Sequence, residues 1–298
     1  MGRVTVRAAP DLVADPSADP LDALACLVGD GDVAVLSGAG LSTESGIPDY
    51  RGPTGAARPA TPMTYQVFTS DPAARRRYWA RSHVGWHVIG RARPNAGHRA
   101  VADLQRAGLV RGVITQNVDG LHTAGGATGV VELHGDLDRV VCLDCGRHSP
   151  REELDARLRA ANPDWTADVQ GVKPDGDVDL PEQALESFRV VPCAVCGGVL
   201  KPDVVFFGET VPAERVARSF ALVEGAGSLL VLGSSLTVMS GYRFVLRAAR
   251  LGIPVALVNQ GPTRGDAHAA VRLDAPLGVV LPDLVRRLAG EAGVPSAL

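Results

Sequence analysis

The chain has 298 residues, of which 46% are hydrophobic and 21% charged, and its formal net charge is −3. This length allows a large domain with a smaller insertion, and the hydrophobic content is sufficient for a buried core. The low aromatic content of 4% and the lack of a basic run argue against a nucleic-acid-binding surface. No apolar run approaches the roughly 20 residues of a membrane-spanning helix, so we expect a soluble protein with no membrane partner.

The N-terminal part of the chain predicts a tail followed by a helix and a strand. Residues 1–20 form the tail, residues 21–28 have apolar side chains at helical spacing, and the apolar residues 33–36 predict a buried strand. This strand leads into Gly38-Ala39-Gly40, where small residues let the backbone approach a ligand. Residues 53–93 are first rich in proline and then helical, and they predict a small helical module.

The rest of the chain alternates between strands and helices. Short apolar runs, typical of buried strands, occur at residues 110–115, 130–133, 204–207, 229–233 and 255–258. Helical patterns separate several of them, at residues 94–107, 212–224 and 239–250. This alternation predicts a doubly wound α/β fold with a parallel sheet. We expect the large domain to comprise approximately residues 21–52, 94–139 and 203–290, and the small domain to comprise the helical module and residues 140–202.

Residues 140–202 contain two CxxC pairs, formed by Cys142, Cys145, Cys193 and Cys196. Four thiolates can complete a tetrahedral shell around one Zn²⁺, and a glycine after each pair permits a tight turn. We predict one structural zinc ion without a catalytic role, because four cysteines leave no open coordination position. Unligated thiols or a redox-active CxxC pair are the alternatives. The fifth cysteine, Cys26, makes the count odd, which indicates a reducing compartment, and we expect the cytoplasm.

The glycine loop alone is a weak signal for a dinucleotide. The usual fingerprint has a third glycine where this chain has Thr43, and no strand ending in an acidic residue follows at the expected distance. A standard nicotinamide-dependent dehydrogenase is therefore disfavoured. Tight packing between a strand and a helix is the alternative explanation of the glycines.

The glycine loop belongs to a set of longer motifs. In chain order they are Gly38-Ala-Gly-Leu-Ser-Thr-Glu-Ser-Gly-Ile-Pro-Asp-Tyr-Arg-Gly52, Thr115-Gln-Asn-Val-Asp-Gly-Leu-His122, Glu132-Leu-His-Gly135, Phe207-Gly-Glu209, Gly233-Ser-Ser235 and Asn259-Gln-Gly261. This set closely resembles the sirtuins, from about residue 32 to about residue 282. The resemblance implies a Rossmann-like large domain and a small zinc-binding and helical domain. NAD and an acyl-lysine protein substrate would meet between them for NAD-dependent deacylation.

The resemblance also implies a role for each matching residue. Gly38, Ala39 and Gly40 would hold the pyrophosphate of NAD, with Thr43 on the same loop and Asp49, Tyr50 and Arg51 on the loop that covers the cofactor. Gln116, Asn117 and Asp119 would surround the nicotinamide and its ribose. The adenosine half would contact Gly233, Ser234, Ser235, Asn259, Gln260, Gly261 and Leu277. An extended acyl-lysine peptide would pair as a strand with Phe207, Gly208 and Glu209.

The residue types suit the chemistry that the resemblance implies. Attack of the acyl oxygen on the anomeric carbon expels nicotinamide, a step that depends on orientation and burial. Asn117 and Asp119 are suited to that step as a carboxamide and an anion. A base must then deprotonate a ribose hydroxyl, and an imidazole with a pKa of about 6.5 is suited to this at neutral pH. By the resemblance this base is His134, which follows the apolar residues 130–133; a structural histidine is the alternative.

The other histidines have less informative surroundings. His122 closes the Gln-Asn-Val-Asp motif and is interpreted as a neighbour of the site. The surface or packing residues are expected to be His83, His87, His98, His148 and His268.

Further segments resemble a class II, sirtuin-4-like branch with bacterial members, among them Leu200-Lys-Pro-Asp-Val-Val-Phe-Phe-Gly208 and Ser240-Gly-Tyr-Arg-Phe244. Desuccinylating sirtuins carry a Tyr-x-x-Arg pair in the helical module, and a gapless placement puts Trp79 and Ser82 at its positions. We therefore do not expect a succinyl specialist. Acetyl, longer or branched acyl and lipoyl groups remain open, the last making lipoamidase activity a candidate. Trp79 would either line the acyl pocket or pack in the core.

Two other functions are compatible with the same residues. The first is mono-ADP-ribosyl transfer to a protein, which would use the same NAD site with a different acceptor. The second is a non-enzymatic, NAD-sensing zinc-ribbon module that binds NAD without turnover.

Overall fold

The structure is a computed structural model that describes residues 19–49, 62–166, 178 and 180–291. The first 18 residues of the expected tail lie outside this part of the chain. So do Tyr50 and Arg51 and residues 167–177 of the expected zinc module. Within the described ranges, none of the helices is long and apolar enough to cross a membrane.

The strands form two sheets. In chain order they are β1 (Val33–Ser37), β2 (Val110–Thr115), β3 (Val131–Glu132), β4 (Gly135–Cys142), β5 (His148–Pro150), β6 (Leu200–Val204), β7 (Ser228–Leu232), β8 (Val255–Val258) and β9 (Ala269–Leu273). The main sheet has the order β3-β2-β1-β7-β8-β9 and all its pairs are parallel. The second sheet, β5-β4-β6, is antiparallel.

Helices cover both faces of the main sheet. In chain order the helices are α1 (Pro20–Gly29), α2 (Tyr65–Ser70), α3 (Pro72–Ile89), α4 (Ala96–Arg106), α5 (Leu121–Ala124), α6 (Arg151–Ala161), α7 (Glu182–Ser187), α8 (Ala213–Glu224), α9 (Met239–Leu251) and α10 (Leu277–Glu291). α1, α4 and α10 bury Leu24, Val101 and Leu281 in one core cluster. α8 and α9 bury Val223 and Phe244 in another. The predicted doubly wound α/β fold is therefore confirmed.

Local contacts fix the helices that border the carboxyl edge of the main sheet. α4 begins at a capping box, in which Asn95 Oδ1 accepts from the backbone N–H of His98 over 3.2 Å. α10 begins where the backbone N–H of Gly278 donates to Glu44 Oε1 over 2.9 Å. Because Glu44 lies on the loop after β1, this bond holds that loop against the start of α10, and Leu277 is held with it.

The second sheet and four helices share a core of their own and correspond to the expected small domain, whose boundaries stay a prediction. α2, α3, α6 and α7 pack around β4 and β6, and their shared core contains Phe68, Trp79, Leu158 and Phe188. Two of the paired cysteines, Cys142 and Cys193, are buried in the same cluster.

The strand predictions differ from the structure in two ways. Residues 204–207 were expected to form a strand of the parallel sheet, but β6 ends at Val204 and pairs antiparallel with β4, with Leu200 opposite Cys142. A short apolar run does not reveal which sheet it joins. β4, β5 and β9 were not predicted; in the edge strand β9 only Val271 is buried, and its sequence Ala-Ala-Val-Arg-Leu has no run of large apolar residues.

Candidate active site

A cavity of about 1110 Å³ lies where the carboxyl ends of the main-sheet strands meet the small domain. The strand order reverses between β1 and β7, and open α/β sheets bind their ligands at such a point. The volume is slightly above the roughly 300–1,000 Å³ of a typical small-molecule pocket. The predicted site residues that line it are Gly38, Ala39, Gly40, Thr43, Asp49, Gln116, Asn117, Asp119, His134, Phe207, Gly208, Glu209, Gly233, Ser234, Ser235, Asn259, Gln260, Gly261 and Leu277.

The glycines of the first loop pack against the loop after β7. A Cβ at Gly40 would lie 2.9 Å from Cα of Gly233, and one at Gly38 would lie 2.8 Å from Cβ of Ser234. The N–H groups of Gly38 and Gly40 donate to carbonyl oxygens of Leu232 and Gly233 over 2.9 Å. The glycines therefore permit a close approach of two loops, which differs from the strand-to-helix packing of the alternative interpretation. Their contact with a pyrophosphate stays a prediction.

Asn117 and Asp119 are connected by a residue that sequence reasoning missed, Ser42. The amide Nδ2 of Asn117 donates to Ser42 Oγ over 3.0 Å, and the Ser42 hydroxyl donates to Asp119 Oδ2 over 2.7 Å. Asp119 Oδ1 also accepts from the backbone N–H of Leu121. Burial raises the pKa of Asp119, and these hydrogen bonds oppose that shift. The three side chains are thus held in one fixed arrangement on the cavity wall.

His134 occupies the turn between β3 and β4, where the two sheets meet. Its Nδ1 is 3.0 Å from the carbonyl oxygen of Gln116, and its Nε2 is 2.8 Å from Oγ of Ser240. Its own carbonyl oxygen accepts from the N–H of Val205 over 2.8 Å. Burial lowers the pKa of His134 to about 4, well below the value of about 6.5 expected from sequence. The imidazole is therefore neutral at pH 7, the form that can accept a proton, but it is a weaker base than the unshifted imidazole expected from sequence.

A buried polar cluster supports the loop that carries Asn117. Ser37 Oγ lies 2.8 Å from both Thr115 Oγ1 and His122 Nε2, and Thr115 Oγ1 accepts from the N–H of Asn117. Burial lowers the pKa of His122 to about 3. The prediction that His122 neighbours the site is confirmed, since it contacts the cavity-lining residues through Ser37 and Thr115.

Most of the residues assigned to the adenosine half follow β7 and β8, and Leu277 lies at the start of α10. Ser234 Oγ accepts from Gln116 Nε2 over 2.8 Å, which joins this side of the cavity to the side lined by Asn117 and Asp119. Asn259 Nδ2 donates to the carbonyl oxygens of Gln260 and Gly261 over 3.0 Å each. These contacts shape the loop after β8, and contact with NAD stays a prediction.

The expected peptide-binding segment follows β6. The carbonyl oxygen of Phe207 accepts from the N–H of Tyr65, and that of Gly208 accepts from Gln66 Nε2. Glu209 has a structural partner, because its Oε2 accepts from Lys201 Nζ over 3.1 Å. Phe207 is exposed at the cavity mouth. Strand pairing with a peptide stays a prediction.

The helical module contributes Tyr78 to the cavity, whereas Trp79 is 1% exposed and packs in the small-domain core. The Trp79 indole N–H donates to the carbonyl oxygen of Leu200 over 3.2 Å. The core-packing alternative for Trp79 is therefore confirmed, and the pocket-lining one is wrong. Tyr78 and Arg81 themselves have Tyr-x-x-Arg spacing, one residue before the gapless placement. The expectation that the chain is not a succinyl specialist stays a prediction.

The four paired cysteines converge in the small domain. Their Sγ atoms all lie within 4.8 Å of one another, with Cys142 3.5 Å from Cys196 and Cys145 4.0 Å from Cys193. A tetrahedral zinc with Zn–S bonds of about 2.3 Å would separate its sulfurs by about 3.8 Å. Gly146 and Gly197 have φ values of 70° and 74° in the turns beneath the pairs. The cluster therefore fits one structural zinc ion.

A second group, His83, His87 and Asp155, also brings possible ligand atoms within 4.8 Å of one another. The Asp155 carboxylate is fully buried and already faces two guanidinium groups, with Arg159 Nε at 3.1 Å and Arg151 at 3.7 Å. These cations oppose metal binding, so we assign the group to an ion network that joins α3 to α6. Sequence reasoning missed this network, because Asp155 is remote from both histidines in the chain.

Comparison with known proteins places these residues in a family context. The profile of the Sir2 family matches residues 38–240. The NAD-dependent protein deacetylase 1 of Streptomyces coelicolor is 64% identical over 263 residues, which cover 88% of each chain. The NAD-dependent protein deacetylase 1 of Mycobacterium avium is 55% identical over 247 residues, covering 81% of this chain and 86% of the relative.

Solved structures agree in fold. One described as the structural basis for the mechanism and regulation of Sir2 enzymes has a TM-score of 0.72 at 29% identity, covering 92% of this chain and 99% of that one. A Sir2 structure with a p53 peptide and NAD⁺ has a TM-score of 0.70 at 29% identity and the same coverage.

Proposed function

Because this chain belongs to the Sir2 family, we propose that it is an NAD-dependent protein deacetylase that transfers the acyl group of a modified lysine to ADP-ribose and releases nicotinamide. The cavity is the observation that supports this proposal most strongly. It gathers every described residue that the resemblance assigns to NAD and to the peptide. The names of the bacterial relatives favour acetyl-lysine proteins as the substrate.

NAD would supply the electrophilic anomeric carbon and the leaving group, and the chain's own residues would orient and bury it. Asn117 and Asp119 are suited to the nicotinamide side, because Ser42 holds both in place before any ligand binds. Such preorganised dipoles and charges stabilise developing charge without reorganisation. The Asp119 carboxylate would favour a positively charged pyridinium.

His134 is proposed as the general base of the acyl-transfer step. It is neutral at pH 7, it lines the cavity, and two neighbouring segments fix its ring. Expulsion of nicotinamide needs no base, whereas acyl transfer needs a deprotonated hydroxyl. Loss of His134 should therefore stop acyl transfer and spare nicotinamide exchange.

The finer proposals concern the branch and the acyl group. We place the chain in the class II, sirtuin-4-like branch, on the motifs quoted above. Tyr78 presents an aromatic ring, packed on Phe68 and Phe206, to the cavity. This mainly apolar wall is compatible with longer acyl and lipoyl groups besides acetyl. The four thiols of the zinc site need a reducing compartment, so the proposed location remains the cytoplasm.

The test is a panel of acetyl-, longer acyl-, succinyl- and lipoyl-lysine peptides with NAD, in which nicotinamide release and peptide mass are followed. We expect deacetylation by the wild type and none by His134→Ala. An ADP-ribose mass added to a protein acceptor, without deacylation, would establish the transferase alternative. NAD binding without nicotinamide release would establish the sensor alternative. Wild-type rates in His134→Ala would show that the base is another residue.

A further inference from the structure

Ser240 lies against His134 although the two residues are far apart in sequence. It is the second residue of α9, whose first turn lines the cavity, and its Oγ is 2.8 Å from Nε2 of His134. Gly241 permits this approach, because a Cβ there would lie 2.5 Å from Oε1 of Gln116. The first turn of α9 therefore packs directly on the residue whose carbonyl group orients the imidazole.

The hydrogen bonds of His134 determine which ring nitrogen carries hydrogen. The carbonyl oxygen of Gln116 can only accept, so Nδ1 of His134 must donate to it. With burial lowering the pKa of His134 to about 4, the ring is neutral at pH 7 and Nε2 holds a lone pair. The Ser240 hydroxyl must therefore be the donor in its bond to Nε2.

While it accepts this bond, Nε2 of the imidazole cannot accept a hydrogen bond from a second donor. Nε2 has one lone pair, and the Ser240 hydroxyl occupies it. A substrate hydroxyl cannot donate to Nε2 while that bond persists. Ser240 Oγ retains acceptor capacity of its own on the cavity wall, so the substrate hydroxyl can donate to Ser240 instead.

We propose that Ser240 is a catalytic residue that relays a proton from the reacting substrate hydroxyl to His134, an inference that rests on the proposed function. The O–H bond of the substrate hydroxyl breaks and its proton passes to Ser240 Oγ, while the Ser240 proton passes to Nε2 of His134. Ser240 is again a hydroxyl at the end, His134 is an imidazolium and the substrate oxygen is the nucleophile. One proton is transferred in total, and nothing is oxidised or reduced.

The first test compares Ser240→Ala with Ser240→Thr in the full chain, using an acetyl-lysine peptide and NAD. We expect Ser240→Ala to lower the kcat of deacetylation by at least about tenfold, a modest part of a general-base contribution. Nicotinamide exchange, which precedes the base, should be unchanged. Ser240→Thr should restore deacetylation, because it keeps the hydroxyl. In mixtures of H₂O and D₂O, the rate should depend non-linearly on the deuterium fraction for the wild type and linearly for Ser240→Ala.

A second readout needs no substrate. In protein labelled with nitrogen-15 histidine, the Nε2 resonance of His134 should move in Ser240→Ala, because the nitrogen loses its hydrogen-bond donor. An unchanged resonance would overturn the proposed hydrogen bond. If His134→Ala deacetylates normally, the proposed base is wrong and the relay is wrong with it. If His134→Ala is inactive but Ser240→Ala keeps the wild-type kcat, the relay alone is wrong.

Discussion

Replacing Gly135 by alanine should damage both the stability of the fold and the position of His134. Gly135 directly follows His134 and has a φ of 89°. A Cβ on Gly135 would lie 1.8 Å from the carbonyl oxygen of Asp203 in β6. At this point β4 pairs with β6, and the N–H of Val205 donates to the carbonyl oxygen of His134 over 2.8 Å. The substitution therefore acts at the junction that holds the candidate base.

The expected loss of stability in Gly135→Ala follows from two effects. An alanine in the left-handed region costs about 1–2 kcal/mol. To bring the Cβ contact at residue 135 from 1.8 Å to 3.0 Å, the two backbones must separate by about 1.2 Å. This movement would break the bond between Val205 and His134, which contributes about 1 kcal/mol. We expect a total loss of about 2–3 kcal/mol in the free energy of unfolding. A displacement of His134 by about 1 Å should lower the deacetylation rate about 100-fold.

Gly129→Ala is the matched control. Gly129 also has a positive φ, of 62°, but a Cβ there would meet nothing within 4 Å. The free energy of unfolding of Gly129→Ala should fall only by the conformational cost of about 1–2 kcal/mol, and the variant should keep full activity. Urea unfolding gives the free energies, and nicotinamide release with an acetyl-lysine peptide gives the rates. If the two variants lose the same stability and both remain active, the steric argument is wrong.

Three further predictions concern the zinc site, the ion network and pH. Removal of zinc by a chelator, or Cys193→Ser, should lower Tm and activity together, and a zinc-free protein with unchanged Tm would contradict a structural zinc. Asp155→Ala should lower the free energy of unfolding by about 3–5 kcal/mol, because Arg151 stays buried without its counter-charge. Asp103→Ala breaks an exposed ion pair with Arg106 and should lower the free energy of unfolding by less than about 1 kcal/mol. Equal losses for the two variants in urea unfolding would refute the distinction between a buried and an exposed ion pair. The stabilisation that depends on neutral His98 and His122 should be complete above pH 6.5 and should decrease as the pH falls towards 4. Burial lowers the pKa of His98 to about 4 and that of His122 to about 3. Between these values and pH 6.5, only the unfolded chain takes up these protons. His122→Gln should flatten the pH profile in this window, and an unchanged slope would contradict the assignment.

The parts of the fold that were predictable are those encoded over short stretches of sequence. β1, β7 and β8 are apolar runs buried at every residue, so composition alone indicates them. The spacing of the cysteines in the two CxxC pairs was sufficient to predict a zinc site. The site residues on loops after strands were predictable only through the family motifs, because no local pattern distinguishes His134 from a structural histidine.

The missed residues are defined by contacts between distant segments. Ser42 acts through Asp119, which is 77 residues away, and Ser240 meets His134 across 106 residues. No periodicity encodes such a pairing. The two alternatives for Trp79 could not be separated from the sequence for a different reason, since successive helical residues are rotated by about 100°. Neighbouring residues of α3 therefore face different surroundings, and Tyr78 lines the cavity whereas Trp79 packs in the core.

The position of β4 connects the zinc site to the candidate base and explains how a non-catalytic metal can matter for activity. The strand begins at Gly135, next to His134, and ends at Cys142, a member of the cysteine cluster. At about 3.4 Å per residue the strand spans about 24 Å, which is too far for zinc to act on a substrate held at His134. The carbonyl group of His134 is nevertheless bonded to Val205 beside β6, the strand that pairs with β4 up to Cys142. Zinc would therefore support His134 by keeping β4 and β6 in register.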